Sequence, residues 1–196
     1  MTDTKENILI AALRLFARDG YEAVSVSMIA AELGVTKSAL YKHYKSKRDI
    51  FDHIVRRMEL ADAERAASLG MPEGPFGEMA DVYERTPLER LKSFAEAQFR
   101  YWTEDEFARC FRRLLTLEQY RSSEMARLFS QYLAGGPLEY VEDILFGICG
   151  ERHKARRLAI DFYAPMFLLY SVCDGAEDKA AAVELLRGHL NGFEIK

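Results

Sequence analysis

The residues best suited to chemistry in this chain lie close together. Between Gly34 and Arg48 stand Lys37, Lys42, Lys45, Lys47 and Arg48, with no acidic residue among them. Five cations in so short a stretch form a local footprint for a polyanion, although a run of this kind also fits a plain solvated face. The rest of the chain sharpens the contrast. Over 196 residues the net charge is −4, yet residues 1–57 hold 10 Lys and Arg against 7 Asp and Glu, and the remainder holds 17 against 24. Catalytic signatures are missing: there is no HExxH, no nucleophile elbow, no Gly-rich phosphate loop and no Cys/His pair at catalytic spacing, so no enzyme is expected. His43, His53, His153 and His189 show no metal-ligand spacing with one another or with cysteine, and no metal or cofactor is expected. Cys110, Cys149 and Cys173 are far apart, odd in number and set in apolar segments, which predicts reduced, buried thiols rather than a disulfide framework. A redox-sensing thiol would need an electropositive, exposed setting that these contexts do not offer.

The basic stretch must be positioned by short helices, because the punctuation around it is helical. Asp3 and Glu6 form a capping-box pattern, and Ile8, Leu9, Ala12, Leu13, Leu15 and Phe16 recur at helical spacing until Gly20. Ser25 suits the N-cap of a second helix with Val26, Ile29, Ala30 and Leu33 inward, ended by Gly34. Thr36 caps a third, from Lys37 to about Lys45, whose apolar side is Leu40, Tyr41 and Tyr44. Ser46 caps a fourth through Ile50, Phe51, Ile54, Val55 and Met58 to about Ala67. Only Gly34 and Val35 separate the second helix from the cap of the third, so these two helices must cross steeply, as in a helix-turn-helix. The third would then present Lys37, Ser38, Ala39 and Lys42 outward, with its N-terminal N–H groups toward phosphate.

The stretch from Gly20 to Phe51 resembles the DNA-binding signature of TetR-family repressors. The Ile29-Ala30 pair, the Gly34-Val35 turn, the Leu40-Tyr41-Lys42-His43-Tyr44 core and the Ser46-Lys47 helix start all fall in register. Ser38 stands where the family often has glycine and Ser25 where it commonly has threonine; both bear on operator sequence rather than fold. The resemblance implies that Ser25, Thr36, Tyr41, His43 and Lys47 anchor the phosphate backbone. It places Ser27, Lys37, Ser38, Ala39 and Lys42 nearest the bases. Hydroxyls at helix starts are good phosphate ligands and lysine donates to guanine O6 and N7, so the division is physically sound. Ser25 and Thr36 also serve as caps, a compatible role, and Tyr44 is expected in the core.

The remainder reads as all-α. Residues 70–77 concentrate glycine and proline and predict a loop extending to Thr86. Thr86 and Pro87 open a helix with Leu88, Leu91, Phe94, Ala95 and Phe99, and Glu104 to Glu106 start another through Leu117. A helix from about Ser123 to Leu133 is expected to break at Gly135-Gly136-Pro137 and to resume through Gly147. Two long helices follow, about Arg152 to Cys173 and about Asp178 to Phe193. Pro165 predicts a kink or bend in the first, unless packing tolerates it. The expected organisation is a helix-turn-helix DNA-binding domain over residues 1–48 and a helical ligand-binding and dimerisation domain over 49–196. By the family resemblance the last two helices pair with those of a second subunit. A homodimer also makes mechanical sense, because one short recognition helix reads too few base pairs. Trp102, Tyr132, Tyr140 and Tyr163, in an aromatic-rich middle, are candidates to line a pocket for an apolar or aromatic effector. Double-stranded operator DNA is the expected partner, with the fourth helix as transmitter between head and body. The longest apolar run, Phe162 to Val172, is short of the roughly 18 residues a spanning helix needs, and the polar Met1 to Lys5 is no secretory signal, so no membrane partner and a cytoplasmic location are expected. The rival readings are an enzyme built on the helical body and a protein-interaction adaptor without DNA affinity.

Overall fold

The computed structural model of the chain describes residues 4–72, 74–175 and 179–195. Among them are eleven helices and no strand: α1 (Thr4–Asp19), α2 (Val26–Glu32), α3 (Lys37–Tyr41), α4 (Lys47–Ser68), α5 (Phe76–Glu84), α6 (Leu88–Glu104), α7 (Glu106–Glu118), α8 (Ser123–Leu133), α9 (Gly135–Cys149), α10 (Arg152–Gly175) and α11 (Ala180–Gly192). The expected capping residue Asp3, the expected helix start at Asp178 and Glu73 of the expected loop lie outside the described residues.

The helices form two compact units, one of residues up to Asp62 together with Glu106–Leu128, the other of Ala63–Asp105 and Phe129 onward. The first unit therefore reaches beyond the 1–48 segment: it takes in most of α4 and all of α7. The reason is the apolar face of α1. Ile8, Leu9, Ala12, Leu13 and Phe16 are buried, and α2 covers only part of that face. Phe107, Phe111, Leu114 and Leu115 of α7 cover the rest, each at 6% exposure or less. At its rim Arg14 grips Glu106 through two bonds of 2.7 Å, a pair about half exposed and so worth well under about 1 kcal/mol. The unit is held by area, not by ions.

In the second unit α9 and α10 pack along their lengths, with α6 and α11 against α10 and α5 on α9. Phe99 of α6 stacks on Tyr170 of α10 at 5.3 Å, and Phe162 meets Phe193 edge-on at 5.0 Å. Glu96 of α6 accepts from Arg187 of α11 at 2.6 and 3.2 Å. That guanidinium, with a weaker contribution from Arg100, holds the Glu96 carboxyl below the usual carboxylate range.

Several expectations are corrected. The loop expected up to Thr86 contains α5, interrupted by one non-helical residue, Met79 (φ −132°, ψ 26°). Tertiary packing overrides its glycine- and proline-rich entry: Tyr83 is buried, donates to Gly74 O at 2.8 Å and meets Phe76, which in turn meets Phe146 of α9. Gly147 permits that docking, since a Cβ there would stand 2.9 Å from the α5 backbone. The break before α9 falls at Ala134 (φ −132°, ψ −92°), and Gly135 to Pro137 form the first turn instead. Proline is tolerated there because the first N–H groups of a helix have no internal partner, and Gly136 is required because a Cβ would come within 2.2 Å of Gln131 O. Pro165 sits inside a continuous α10, with exposed Asp161 one turn earlier leaving its carbonyl free to reach water. Of the thiols, Cys173 is buried but Cys110 and Cys149 are only half-buried, the former on the flank of α7 and the latter at the end of α9. Burial, then Glu106, pushes the Cys110 thiol up, away from reactivity.

Candidate nucleic-acid interface

The turn between α2 and α3 is built by two backbone devices. Gly34 adopts φ +65°, and the N–H groups of Gly34 and Val35 donate to Ala31 O at 3.1 Å and Ala30 O at 2.9 Å, a Schellman closure of α2. Thr36 is then extended (φ −78°, ψ 150°) and its Oγ1 accepts from Ala39 N at 3.2 Å, which starts α3. Ser25 performs the same service for α2, accepting from Met28 N at 3.2 Å. Leu40 and Tyr44 are buried beneath, and the Tyr44 hydroxyl donates to Lys5 O at 3.2 Å, pinning the end of this segment to the start of α1.

With its apolar side anchored, α3 turns its polar side outward. Ser25, Ser27, Thr36, Lys37, Ser38, Tyr41 and Lys42 are exposed, while Ala39, His43 and Lys47 are half-buried. Tyr41 is 45% exposed, unusual for a tyrosine beside a packed core, and the Lys37 ammonium lies 5.8 Å from its ring centre. Ser38 Oγ lies 3.0 Å from Thr36 Oγ1. α3 is shorter than the expected Lys37 to Lys45, because His43 and Tyr44 both direct their N–H groups to Leu40 O and the chain then turns toward the Ser46 cap of α4.

The other end of the basic stretch is engaged. Lys47 Nζ donates to Tyr21 O at 2.9 Å and Glu22 O at 3.4 Å and sits 4.3 Å over the Tyr21 ring. Arg48 holds Glu124 through bonds of 2.7 and 2.6 Å and Asp52 at 2.7 Å. Those hydrogen bonds, Glu124's first, keep its guanidinium above its ordinary value. Sequence reading found the lysines but missed Glu118, which reaches Tyr21 from 97 positions away, and Glu124, which reaches Arg48 from 76. No local spacing signals such partners.

The four effector candidates lie in the second unit. Trp102 is buried with its ring 6.2 Å from that of Tyr132, and the Tyr163 hydroxyl donates to Leu133 O at 2.9 Å. Burial pushes the Tyr163 phenol well above its ordinary value. Tyr140 meets the rings of Tyr83 and Phe94, and its hydroxyl donates to Pro72 O at 2.9 Å. The structure thus brings Trp102, Tyr132 and Tyr163 together through adjacent residues of α8 and packs Tyr140 against Tyr83 and Phe94.

Comparison with known proteins places this geometry. Residues 8–54 match the family described as bacterial regulatory proteins, tetR family. The HTH-type transcriptional regulator AcrR of Shigella flexneri is 33% identical over 82 residues, 41% of this chain and 38% of that protein. The regulator YerO of Bacillus subtilis (strain 168) is 45% identical over 99 residues, 50% of this chain and 31% of that protein. The matches thus span a little over a third or less of these relatives' lengths. The fold matches over nearly the full chain. A TetR-family transcriptional regulator from Bordetella parapertussis superposes with a TM-score of 0.67 at 17% identity, covering 98% of this chain and 96% of that one. A protein from Saccharomonospora viridis, solved in complex with choline, gives 0.66 at 23% identity with 98% and 96% covered. The head, residues 8–54, thus matches the tetR family of bacterial regulatory proteins in sequence, and the chain over nearly its full length has the fold of solved TetR-family regulators.

Proposed function

We propose that this chain is a ligand-responsive DNA-binding transcription regulator, a repressor that holds a palindromic operator as a homodimer and is released by a small apolar or aromatic effector. The observation that carries the reading is the exposed, cation-bearing side of α3, held out by a buried Leu40 and opened at its N-terminal end by the Thr36 cap. Residues 1–48 do the reading of DNA. Ser25, Thr36, Tyr41, His43 and Lys47 engage phosphates, while Ser27, Lys37, Ser38, Ala39 and Lys42 approach base edges. A regulator of Brucella suis that is 37% identical over 62 residues is named a repressor, which supports the sign of the effect.

Residues 49–196 carry effector binding and dimerisation. On α10, Ile160, Phe167, Leu168 and Val172 are exposed at helical spacing, and on α11 so is Leu185; Leu168 and Leu185 are 64% and 63% exposed. An apolar stripe of this kind on two neighbouring helices suits a second copy of itself. That the Saccharomonospora protein was solved with choline supports a small-molecule effector in general, and Trp102, Tyr132, Tyr140 and Tyr163 are the residues proposed to line its site here. Such a ligand acts by binding the two states of the dimer unequally. α4 contributes residues to both compact units and is the transmitter.

The test is selection of bound sequences from a random duplex library. Recovery of a palindrome with half-sites about one helical turn apart, roughly 34–36 Å, is the expected result. Failure to enrich any sequence, even at low salt, overturns the reading.

A further inference from the structure

One buried acidic group is attached to the head from far along the chain. Glu118, the last residue of α7, is 2% exposed, and it accepts the backbone N–H of Tyr21 at 3.1 Å. Arg121 faces the same oxygen at 3.4 Å. The α1–α2 turn is shaped to admit it: Gly20 has φ +87°, and a Cβ there would stand 2.8 Å from Glu118 Oε1. Lys47 grips the opposite side of the turn through the carbonyls of Tyr21 and Glu22. Between these two grips the Tyr21 ring is wedged against Phe16 and Phe51 at 5.1 and 5.2 Å. The chain then runs directly to Ser25, the cap of α2.

The stability of α7 does not explain this residue. A carboxylate in the last turn of a helix faces the negative end of the macrodipole, and burying it adds a desolvation cost. What it gains is the Tyr21 N–H, an otherwise unpaired donor in a turn. We propose that Glu118 is a positioning residue for DNA binding. By fixing the Tyr21 amide, it fixes the two carbonyls that hold the Lys47 ammonium, and so sets where that ammonium, otherwise facing the exposed Glu22 carboxylate at 3.7 Å, meets a phosphate. This rests on the reading of the chain as a DNA-binding regulator. It adds that the C-terminus of α7, not α4 alone, sets the geometry of the phosphate grip.

The test uses the full-length protein and the duplex that wild-type protein selects from a random library. If wild type selects no duplex, the regulator reading has failed; if it does, the variants address Glu118 alone. Glu118→Gln keeps the length and the acceptor but loses the charge, while Glu118→Asp keeps the charge but withdraws the oxygen from Tyr21. The Gln variant is expected to bind within about twofold of wild type, and the Asp variant about tenfold more weakly, the effect of leaving a buried donor unpaired. The Asp variant should also lose about one unit from the slope of log affinity against log salt, the signature of one phosphate contact. In a Lys47→Ala background, Glu118→Asp should leave that slope unchanged. A merely structural role would lower the melting temperature and leave the wild-type slope intact. Equal binding by both variants, an Asp variant tighter than the Gln variant, or an unchanged slope for Glu118→Asp overturns the proposal.

Discussion

The two ends of the basic stretch carry the same charge and meet different fates. At the α3 end Lys37 and Lys42 are exposed and make no ion pair among the described residues. At the α4 end Lys47 is 22% exposed at its side chain and committed to two carbonyls, and Arg48 is committed to two carboxylates. A count of positive charges treats them alike. The structure separates cations that are free of the head's own groups from cations that also hold the head together, and a mutation should therefore report on binding alone at one end and on binding and stability at the other.

The largest expected effect abolishes the distinction by removing the floor under both ends. Phe51 is fully buried and touches Tyr21, so Phe51→Ala should cost about 3–5 kcal/mol of unfolding free energy in denaturant titrations. A loss under about 1 kcal/mol would mean that the head is not organised around this ring. Next come the two lysines, which should part company. Lys37→Ala is expected to weaken operator binding by about 1–3 kcal/mol and to leave stability within about 0.5 kcal/mol. Lys47→Ala should lower the salt slope by about one unit and also destabilise the fold by about 1 kcal/mol, since charge-assisted bonds to carbonyls are lost from a partly exposed site. Identical behaviour of the two variants in melting and in binding would erase the comparison.

The smallest effect concerns Arg48 and Glu124. The Arg48 hydrogen bonds hold the Glu124 carboxyl below its ordinary value of 4.5. A lowered carboxylate contributes stability that is complete above that ordinary value and fades as the pH falls beneath it. Both groups are substantially exposed, so the contribution is small, under about 1 kcal/mol. Arg48→Met should flatten the acid limb of a stability–pH curve below about pH 4.5 without altering the neutral plateau by more than that amount. A variant whose acid limb is as steep as wild type would show that the pair is idle.

Much of the head was legible before any coordinates. Ser25, Gly34, Thr36 and Ser46 are local signals, each acting on N–H or C=O groups within a few residues, and so they can be read from spacing alone. The buried positions Ile8, Phe16, Ile29, Leu40 and Ile54 follow equally from periodicity. In the body the same signals misled wherever tertiary contact outweighed them. A Gly/Pro-rich entry concealed α5, because Tyr83 and Phe76 are held by α9 rather than by their neighbours in sequence. Gly135 and Gly136 looked like a break but are there for close approach to the end of α8.

Sequence alone thus determined where helices start and stop around the recognition segment and which of its faces is apolar, because caps, glycine turns and helical periodicity act over one or two turns of chain. Only the tertiary structure decided which cations are spoken for, that Glu118 and Glu124 close on the head, and that Trp102 meets Tyr132 while Tyr140 packs against Tyr83 and Phe94. Those outcomes depend on side chains dozens of positions apart meeting across packed helices, and nothing in local spacing encodes such a meeting.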